Sequence, residues 1–374
     1  MPKVIFTVTN DLSYDQRMQR ISSSLVSAGW EVVLVGRLRP NSKTLPNFPF
    51  ATQRLKCWFD QGKWFYIEYN IRLFFWLLKQ STDVYGAIDL DTILPNFWAA
   101  RWKGKVCTYD AHEYFTEVPE VVRRPRIQAV WAAIADRTIP KLKYCYTVGP
   151  ALARIFSEKY GVPFRVVRNV PQAKALAESP RHLPTSDQPF ILLYQGALNE
   201  GRGIEYLLAA LPLLPERVQL WLAGEGDLSQ SLRAQAASLG LADRARFLGF
   251  VQPHDLHTLT PKADLGFNLL ENKGLSYYYS LANKAFDYVQ AGIPSLQMAF
   301  PEYQALQTEH PCFFLLESLD AQLLAEQIKE ILEHPSAYQQ RAKACLEAAK
   351  YWTWENEERI LQEVYREIAQ RLAS

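Results

Sequence analysis

The sequence predicts an α/β protein of two domains, each built on a parallel sheet. The chain opens with a short strand over Lys3–Thr9, a polar turn through Asn10 and Asp11, a helix over Gln16–Ala28 and a second strand over Glu31–Val35. Strand, helix and strand at this spacing make a right-handed βαβ unit, which commits the sheet to parallel pairing. The same plan restarts at Phe190–Tyr194, passes through a glycine-rich turn and enters a helix over Ile204–Leu211. Between the two lies Gln172–Gln188, whose Ser179, Pro180, Pro184, Ser186 and Asp187 have the composition of a hinge. At 374 residues the chain is long enough for a full core in each half.

Composition narrows the classes. Hydrophobic residues make up 48% and charged residues 21%, which is a globular balance. Cys57, Cys107, Cys145, Cys312 and Cys345 are scattered with neither metal-ligand nor disulfide spacing, as suits a reducing cytoplasm. MPKVIFTVT lacks the apolar region of a signal peptide, and no run of 18 apolar residues predicts a membrane-spanning helix. Charge is divided unevenly. Residues 1–180 hold 25 Lys and Arg against 15 Asp and Glu, which leaves 16 against 24 for the rest of a chain whose net charge is +2. No nucleic-acid recognition module accompanies the basic half, so an anionic membrane surface or an anionic acceptor fits it better.

In the first half, the turn after the first strand falls at the carboxyl edge of the sheet, where α/β proteins bind ligands, but it lacks the dinucleotide fingerprint. Trp58–Gln80 is the most unusual segment. A helix starting near Lys63 presents Phe65, Ile67, Ile71, Phe74, Phe75 and Leu78 as one broad apolar surface, with Glu68, Arg72 and Lys79 on its polar side. That surface suits either a membrane interface or the cover of the sheet. Strands follow at Val84–Asp89, Lys105–Tyr109 and Cys145–Val148, with helices at Ile93–Arg101, around Val130–Ile139 and at Ala151–Tyr160. His112 and Glu113 come directly after a strand, at the sheet edge rather than within it.

In the second half, Gly196 and Gly203 allow backbone N–H groups to approach a phosphate, and Arg202 between them supplies positive charge. Val218–Ala223 is a strand leading into the tight turn Gly224, Glu225, Gly226. Arg246–Leu248 is another, followed by Phe250 and Val251, with Leu265–Asn268 beyond and a loop over Glu271–Tyr279. In SLANKAFDYVQAGIPSLQ, Leu281, Ala285, Tyr288 and Val289 make one face of a helix that Gly292 stops before a short strand. The start of that helix, beside Asn283 and Lys284, suits a phosphate-bearing ligand. Ala337–Ala373 reads as largely helical, with a break at Tyr351, Trp352 and Trp354.

Ser280, Lys284, Tyr288, Gly292 and Pro294 match a motif, S-x-P-x-K-x-x-E-Y-x-A-x-G-x-P, through which the sequence resembles the retaining GT-B glycosyltransferases of the large family 4 type, the glycosyl transferases group 1. Asp287 takes the place of the usual helix carboxylate, Ala282 that of the proline and Tyr279 that of an earlier glutamate. The opening N-DLSYDQRMQRI, the loop at 107–114, the glycines at 196–203 and the Val166–Pro171 run extend the resemblance over the whole chain.

The resemblance implies two Rossmann-like domains facing across a cleft. Residues 1–171 would form the acceptor-side domain, 172–188 a linker and 189–350 the nucleotide-sugar domain, with a C-terminal helix over 351–374 packing back on the first. It implies transfer of a hexosyl group from a nucleoside-diphosphate sugar to a glycan, lipid-linked or small-molecule acceptor, with retention and without metal or further cofactor. His112, Arg202 and Lys284 would be catalytic. Gly196, Arg202, Gly203, Gly224, Glu225, Phe250, Val251, Ser280, Asn283, Lys284 and Asp287 would hold the donor, and Asn10, Asp11, His112 and Glu113 the acceptor side. Ala197 stands where the family has a second cation, so Arg202 and Lys284 would carry more of the diphosphate charge. A protein of this kind would be cytoplasmic, or peripheral on the inner face of the membrane. The alternatives are a non-catalytic GT-B partner or glycan-binding protein, and a nucleotide-sugar epimerase. The epimerase would want acids and histidine clustered around the sugar, and the linear sequence shows no such cluster.

Overall fold

A computed structural model describes residues 1–374, and the chain divides into two compact units, 1–168 with 355–374, and 169–354. The first unit runs β1 (Lys3–Thr7), α1 (Gln16–Ser27), β2 (Glu31–Leu38), β3 (Ala51–Lys56), α2 (Gly62–Lys79), β4 (Val84–Ile88), α3 (Ile93–Lys103), β5 (Val106–Ala111), α4 (Pro119–Val122), α5 (Pro125–Thr138), β6 (Tyr144–Thr147), α6 (Pro150–Tyr160) and β7 (Phe164–Val166). Its seven strands are ordered β3-β2-β1-β4-β5-β6-β7 and pair in parallel, with Val4 opposite both Val32 and Val84. Central strands that are covered on both faces read as continuous apolar runs. Accordingly, Val4, Ile5 and Phe6 of β1 and Val84, Tyr85, Ala87 and Ile88 of β4 are all buried.

The order reverses between β1 and β4, so the loops leaving these two strands diverge and open a crevice at the carboxyl edge. Asn10, Asp11, Asp89 and Asp91 all fall in those two loops. The Asp15 carboxylate caps α1 by accepting from the Met18 N–H at 3.0 Å, which fixes where the first loop ends.

The expected apolar surface of α2 is divided in the structure. Phe65 packs inward with Tyr69, Leu73 and Leu77, whereas Ile67, Ile71 and Phe75 are exposed. The correction has a simple cause. The helix is apolar on two opposite sides, so hydrophobic periodicity alone does not say which side is covered. No helix in the chain is long and apolar enough to cross a membrane.

The second unit runs β8 (Phe190–Gln195), α7 (Ile204–Ala210), β9 (Val218–Ala223), α8 (Ser229–Ser238), β10 (Ala245–Gly249), α9 (Leu256–Leu259), β11 (Leu265–Asn268), α10 (Leu275–Tyr278), α11 (Asn283–Gln290), β12 (Ser295–Met298), α12 (Pro301–Glu309), β13 (Phe313–Leu316), α13 (Ala321–Glu333) and α14 (Pro335–Tyr351). Its parallel sheet is ordered β10-β9-β8-β11-β12-β13, with the reversal between β8 and β11. The segment expected as a loop over Glu271–Tyr279 contains α10. Gly292, at φ +68°, ends α11 in the left-handed conformation that glycine adopts without strain. Leu281, Ala285, Tyr288 and Val289, the expected inner face of that helix, are all buried.

The last helix, α15 (Trp354–Ala373), belongs to the first unit from Glu355 onward. Tyr365 is fully buried there, its ring 5.3 Å from that of Trp30 and its hydroxyl 3.3 Å from the Tyr146 hydroxyl. Ser24 donates to Glu358 at 2.6 Å, and Arg168 pairs with Glu357 at 2.8 Å.

Candidate functional sites at the two sheet edges

In the second unit, β8 delivers Gly196 to the sheet edge beside the loop after β9. A Cβ on Gly224 would lie 1.8 Å from the Gly196 carbonyl oxygen, so the two loops touch backbone to backbone and no larger residue fits. Lys284, in the first turn of α11, reaches over this contact. Its Nζ lies 3.9 Å from the Tyr194 ring centroid, and a Cβ on Gly196 would sit 3.2 Å from it. Arg202, on the turn before α7, lies with Cζ 4.9 Å from the Tyr277 ring centroid. Its Nε is buried without a hydrogen-bond partner.

Both cations thus rest on aromatic faces, which attract them weakly through the ring quadrupole, and neither makes an ion pair with a carboxylate. Burial, and then the Arg202 charge, push the Lys284 pKa well down, with Asp287 partly opposing. An anion entering here would meet two underneutralised cations and the N-terminus of α11.

Hydrogen bonds anchor α11 both at its start and through its second turn. The Tyr288 hydroxyl donates to Leu193 O at 3.1 Å or Phe267 O at 3.2 Å and accepts from Gln195 N–H at 3.3 Å. Gln195 Nε2 donates to Asp287 at 3.0 Å, and the Ala282 N–H donates to the Tyr303 hydroxyl at 2.9 Å. Ser280 Oγ is taken up by Tyr277 O at 2.9 Å, while Asn283 is exposed at the helix start. Gly203, at φ +71°, packs against Leu269 O, where a Cβ would come within 2.3 Å. Glu225 is engaged by Arg233 at 3.0 Å on the surface. Phe250 is exposed and Val251 half-buried just beyond β10. The structure therefore brings Gly196, Gly224, Arg202 and Lys284 together.

The edge of the first unit has the opposite chemistry. Asp110, buried at the end of β5, accepts from Arg17 Nε at 3.1 Å and Nη2 at 2.8 Å, while Arg17 Nη1 donates to Val167 O at 2.7 Å. His112 follows, its Nε2 3.0 Å from Asp110 Oδ2 and its Nδ1 3.6 Å from Asp89 Oδ2. The His112 N–H donates to Asp89 Oδ1 at 2.8 Å, and Asp89 holds the uncommon φ of +54°. Thr9 donates to Asp91 at 2.6 Å.

Burial by itself would lower the His112 pKa, but Asp110 and Asp89 raise it to about 9, so the ring is an imidazolium at neutral pH. Burial and the neighbouring Asp89 push Asp91 up to about 7. Asp110 also feels burial, yet Arg17 and His112 hold it below the usual carboxylate range.

Asn10 serves its own loop, and Asp11 ties that loop to the connection after β2. Asn10 donates to Asp15 at 2.6 Å and accepts from Leu12 N–H at 2.9 Å, and Asp11 accepts from Ser42 at 3.0 Å. Glu113 is exposed beside His112. The expectation that no acid–histidine cluster exists is corrected here, since Asp89, Asp91, Asp110 and His112 form one. It was hidden because β4 and β5 are adjacent only in the folded sheet. Sequence reasoning also missed Arg17, Tyr194, Tyr277 and Glu205, whose Oε2 is buried without a partner in the first turn of α7. The one available signal was the carboxylate pair Asp89 and Asp91 directly after a strand.

Two parallel-sheet units, each with a ligand-ready edge at its strand-order reversal, define the GT-B fold. Solved structures share it. Sucrose-phosphate synthase from Thermosynechococcus elongatus superposes with a TM-score of 0.78 at 18% identity, covering 99% of this chain and 100% of that one. HepE of Anabaena, in complex with UDP and glucose, gives 0.76 at 16% identity over 98% and 100%. Residues 189–334, within the second unit, match the family model of glycosyl transferases group 1, and the whole chain has the GT-B fold. An uncharacterized glycosyltransferase of Methanocaldococcus jannaschii is 36% identical over 87 residues, a match that spans 23% of this chain and 22% of that protein.

Proposed function

We propose that this chain transfers a hexosyl group from a nucleoside-diphosphate sugar to a glycan, lipid-linked or small-molecule acceptor, with retention of anomeric configuration. The observation that carries the reading is the pair Arg202 and Lys284, two half-buried cations set against a glycine loop and left without carboxylate partners. A diphosphate supplies the missing charge. As the bond from the anomeric carbon to the diphosphate oxygen breaks, its electron pair stays on that oxygen. Preorganised cations in a site partly shielded from water stabilise this charge most strongly in the transition state. The new bond to the acceptor oxygen forms on the same face, and the acceptor proton passes to the departing diphosphate. No protein group is assigned as base.

In this reading transfer needs no metal ion, and EDTA is expected to leave it unchanged. Five free cysteines support a reducing, cytoplasmic setting. With a lipid-linked acceptor the chain would work as a peripheral protein on an anionic membrane.

The test is calorimetric titration with UDP and GDP, followed by mass spectrometry of products from a panel of nucleotide sugars. Arg202→Ala and Lys284→Ala are each expected to weaken diphosphate binding by about 1.5–3 kcal/mol, the worth of a hydrogen bond to a charged group. Unchanged affinity in both variants overturns the assignment.

The acid–histidine cluster favours a second reading, epimerisation of the donor sugar, because it offers groups able to take and return a proton. Donor incubated alone separates the two. An epimerase yields an isomeric nucleotide sugar, whereas a transferase returns the donor intact or slowly hydrolysed.

A further inference from the structure

Helix α2 carries a second apolar face that its own unit leaves uncovered. Trp64, Ile67, Ile71 and Phe75, at spacings of three and four, are 55%, 48%, 53% and 58% exposed. On the neighbouring α3, Trp98 and Trp102 lie one turn apart and are 53% and 75% exposed. The two stripes meet. Ile71, Phe74 and Phe75 line an open groove together with Leu94, Pro95 and Trp98, and the Phe74 ring lies 6.3 Å from that of Trp102. Large apolar side chains scattered singly need no explanation, but six gathered on two adjacent helices do.

The charges around this face are predominantly positive. Together, α2 and α3 hold Lys63, Arg72, Lys79, Arg101 and Lys103 against a single acid, Glu68. Glu68 is already committed, bonded to Arg72 at 2.7 Å and to the Trp58 and Phe59 N–H groups at 2.9 Å. The Lys63 Nζ stands 5.3 Å from the Trp64 ring centroid, so cation and indole occupy the same end of the stripe.

We propose that this α2–α3 face docks on an anionic lipid bilayer, with the exposed aromatic side chains at headgroup depth and the flanking lysines and arginines against lipid phosphates. Aromatic side chains with an apolar body and a polar edge, ringed by Lys and Arg, are the chemistry that lies in the interfacial layer. A second copy of the chain is the poorer occupant, because a twofold contact would set the same unmatched cations opposite themselves. The helix lies on the membrane rather than through it, since none in the chain is long and apolar enough to span. The proposal extends the peripheral-membrane part of the functional reading and does not depend on sugar transfer.

The test is co-sedimentation of the full chain, without donor, with vesicles of phosphatidylcholine alone and of phosphatidylcholine with phosphatidylglycerol. Strong binding is expected only to the anionic vesicles at low salt, falling at least roughly tenfold once salt screens the surface charge. Replacing Phe75, Trp98 and Trp102 with serine together should cut binding at least about tenfold, because it removes the aromatic anchors. These side chains are exposed, so the circular-dichroism melt should not move. Lys63→Gln and Arg101→Gln should each weaken binding about fivefold, the worth of one cation at an anionic surface.

Three results would overturn the proposal. One is absence of binding to anionic vesicles at low salt, and another is binding unmoved in the folded triple variant. The third is a dimer in ultracentrifugation that the triple variant dissolves, which would make the face a protein contact. None of these outcomes touches the Arg202 and Lys284 titration, so failure here and failure of the transferase reading remain distinguishable.

Discussion

At both sheet edges the strand order reverses and two loops part, yet the charges gathered there are treated in opposite ways. In the first unit, Asp110 and Arg17 pair bidentately in the interior, and His112 lies against Asp110 with Asp89 on its other side. That edge is neutralised by the protein itself. In the second unit, Arg202 and Lys284 sit on aromatic rings with glycine backbone before them and no acid in ion-pair contact. In the proposed reading that edge is completed by an anion. A buried charge is costly unless paired, so the second arrangement gives up stability, a cost that in the proposed reading a bound anion offsets. The first keeps its geometry whether or not a ligand is present.

The largest expected effect falls at Arg17. Removing one partner of a buried pair leaves the other charge stranded, so Arg17→Met should cost about 3–5 kcal/mol in urea denaturation. A loss below about 1 kcal/mol would mean that the first edge is not self-neutralised in the way described.

Lys284→Met should act with the opposite sign. It removes an unpaired cation from a half-buried site, so the ligand-free protein should gain stability, by about 1 kcal/mol. The same change should lose the diphosphate affinity described above. A destabilised Lys284→Met protein would show that the cation is structural rather than reserved for a ligand.

Dependence on pH sharpens the contrast further. The folded His112 pKa, about 9, lies above the ordinary histidine value. Its contribution to stability is therefore fully present below about pH 6.5 and lost as pH rises through about 9. Asp110, held low by Arg17 and His112 against the effect of burial, works the other way. Its contribution is present above the ordinary aspartate range and fades as pH falls through the folded value. His112→Ala should flatten the alkaline limb of a melting-temperature profile, and NMR titration of the His112 ring should show the raised pKa. A ring titrating near 6.5 would remove the imidazolium.

The smallest expected effect is on turnover. If His112 acts on the sugar in the transition state, His112→Gln should lower kcat by more than about twofold while diphosphate affinity stays at the parent value. Its ring nitrogens already face Asp110 and Asp89. A loss of stability with unchanged kcat would confine the residue to holding this edge together.

Local pattern made much of this architecture legible. The opening βαβ unit, the face of α11 and its stop at Gly292 depend on neighbours a few residues apart, and periodicity and glycine conformation report such neighbours directly. Strand β3 was not legible. It is polar and largely exposed at the edge of its sheet, so no apolar alternation marks it. The split of α2 was not legible either, because both its faces are apolar and only the sheet beneath Phe65, Tyr69, Leu73 and Leu77 selects one.

By itself the sequence determined the parallel α/β plan, the glycines at 196 and 203 and the two cations Arg202 and Lys284, since each follows from residue type and short spacing. Only the tertiary structure decided which charges are matched. Arg17 and Asp110 stand 93 residues apart in the chain, and Asp89 and His112 stand 23 apart. Such pairs exist only once β4 and β5 lie side by side and the start of α1 brings Arg17 to Asp110. Ion pairing depends on distance in space, and that distance is set by sheet order, which no local pattern encodes.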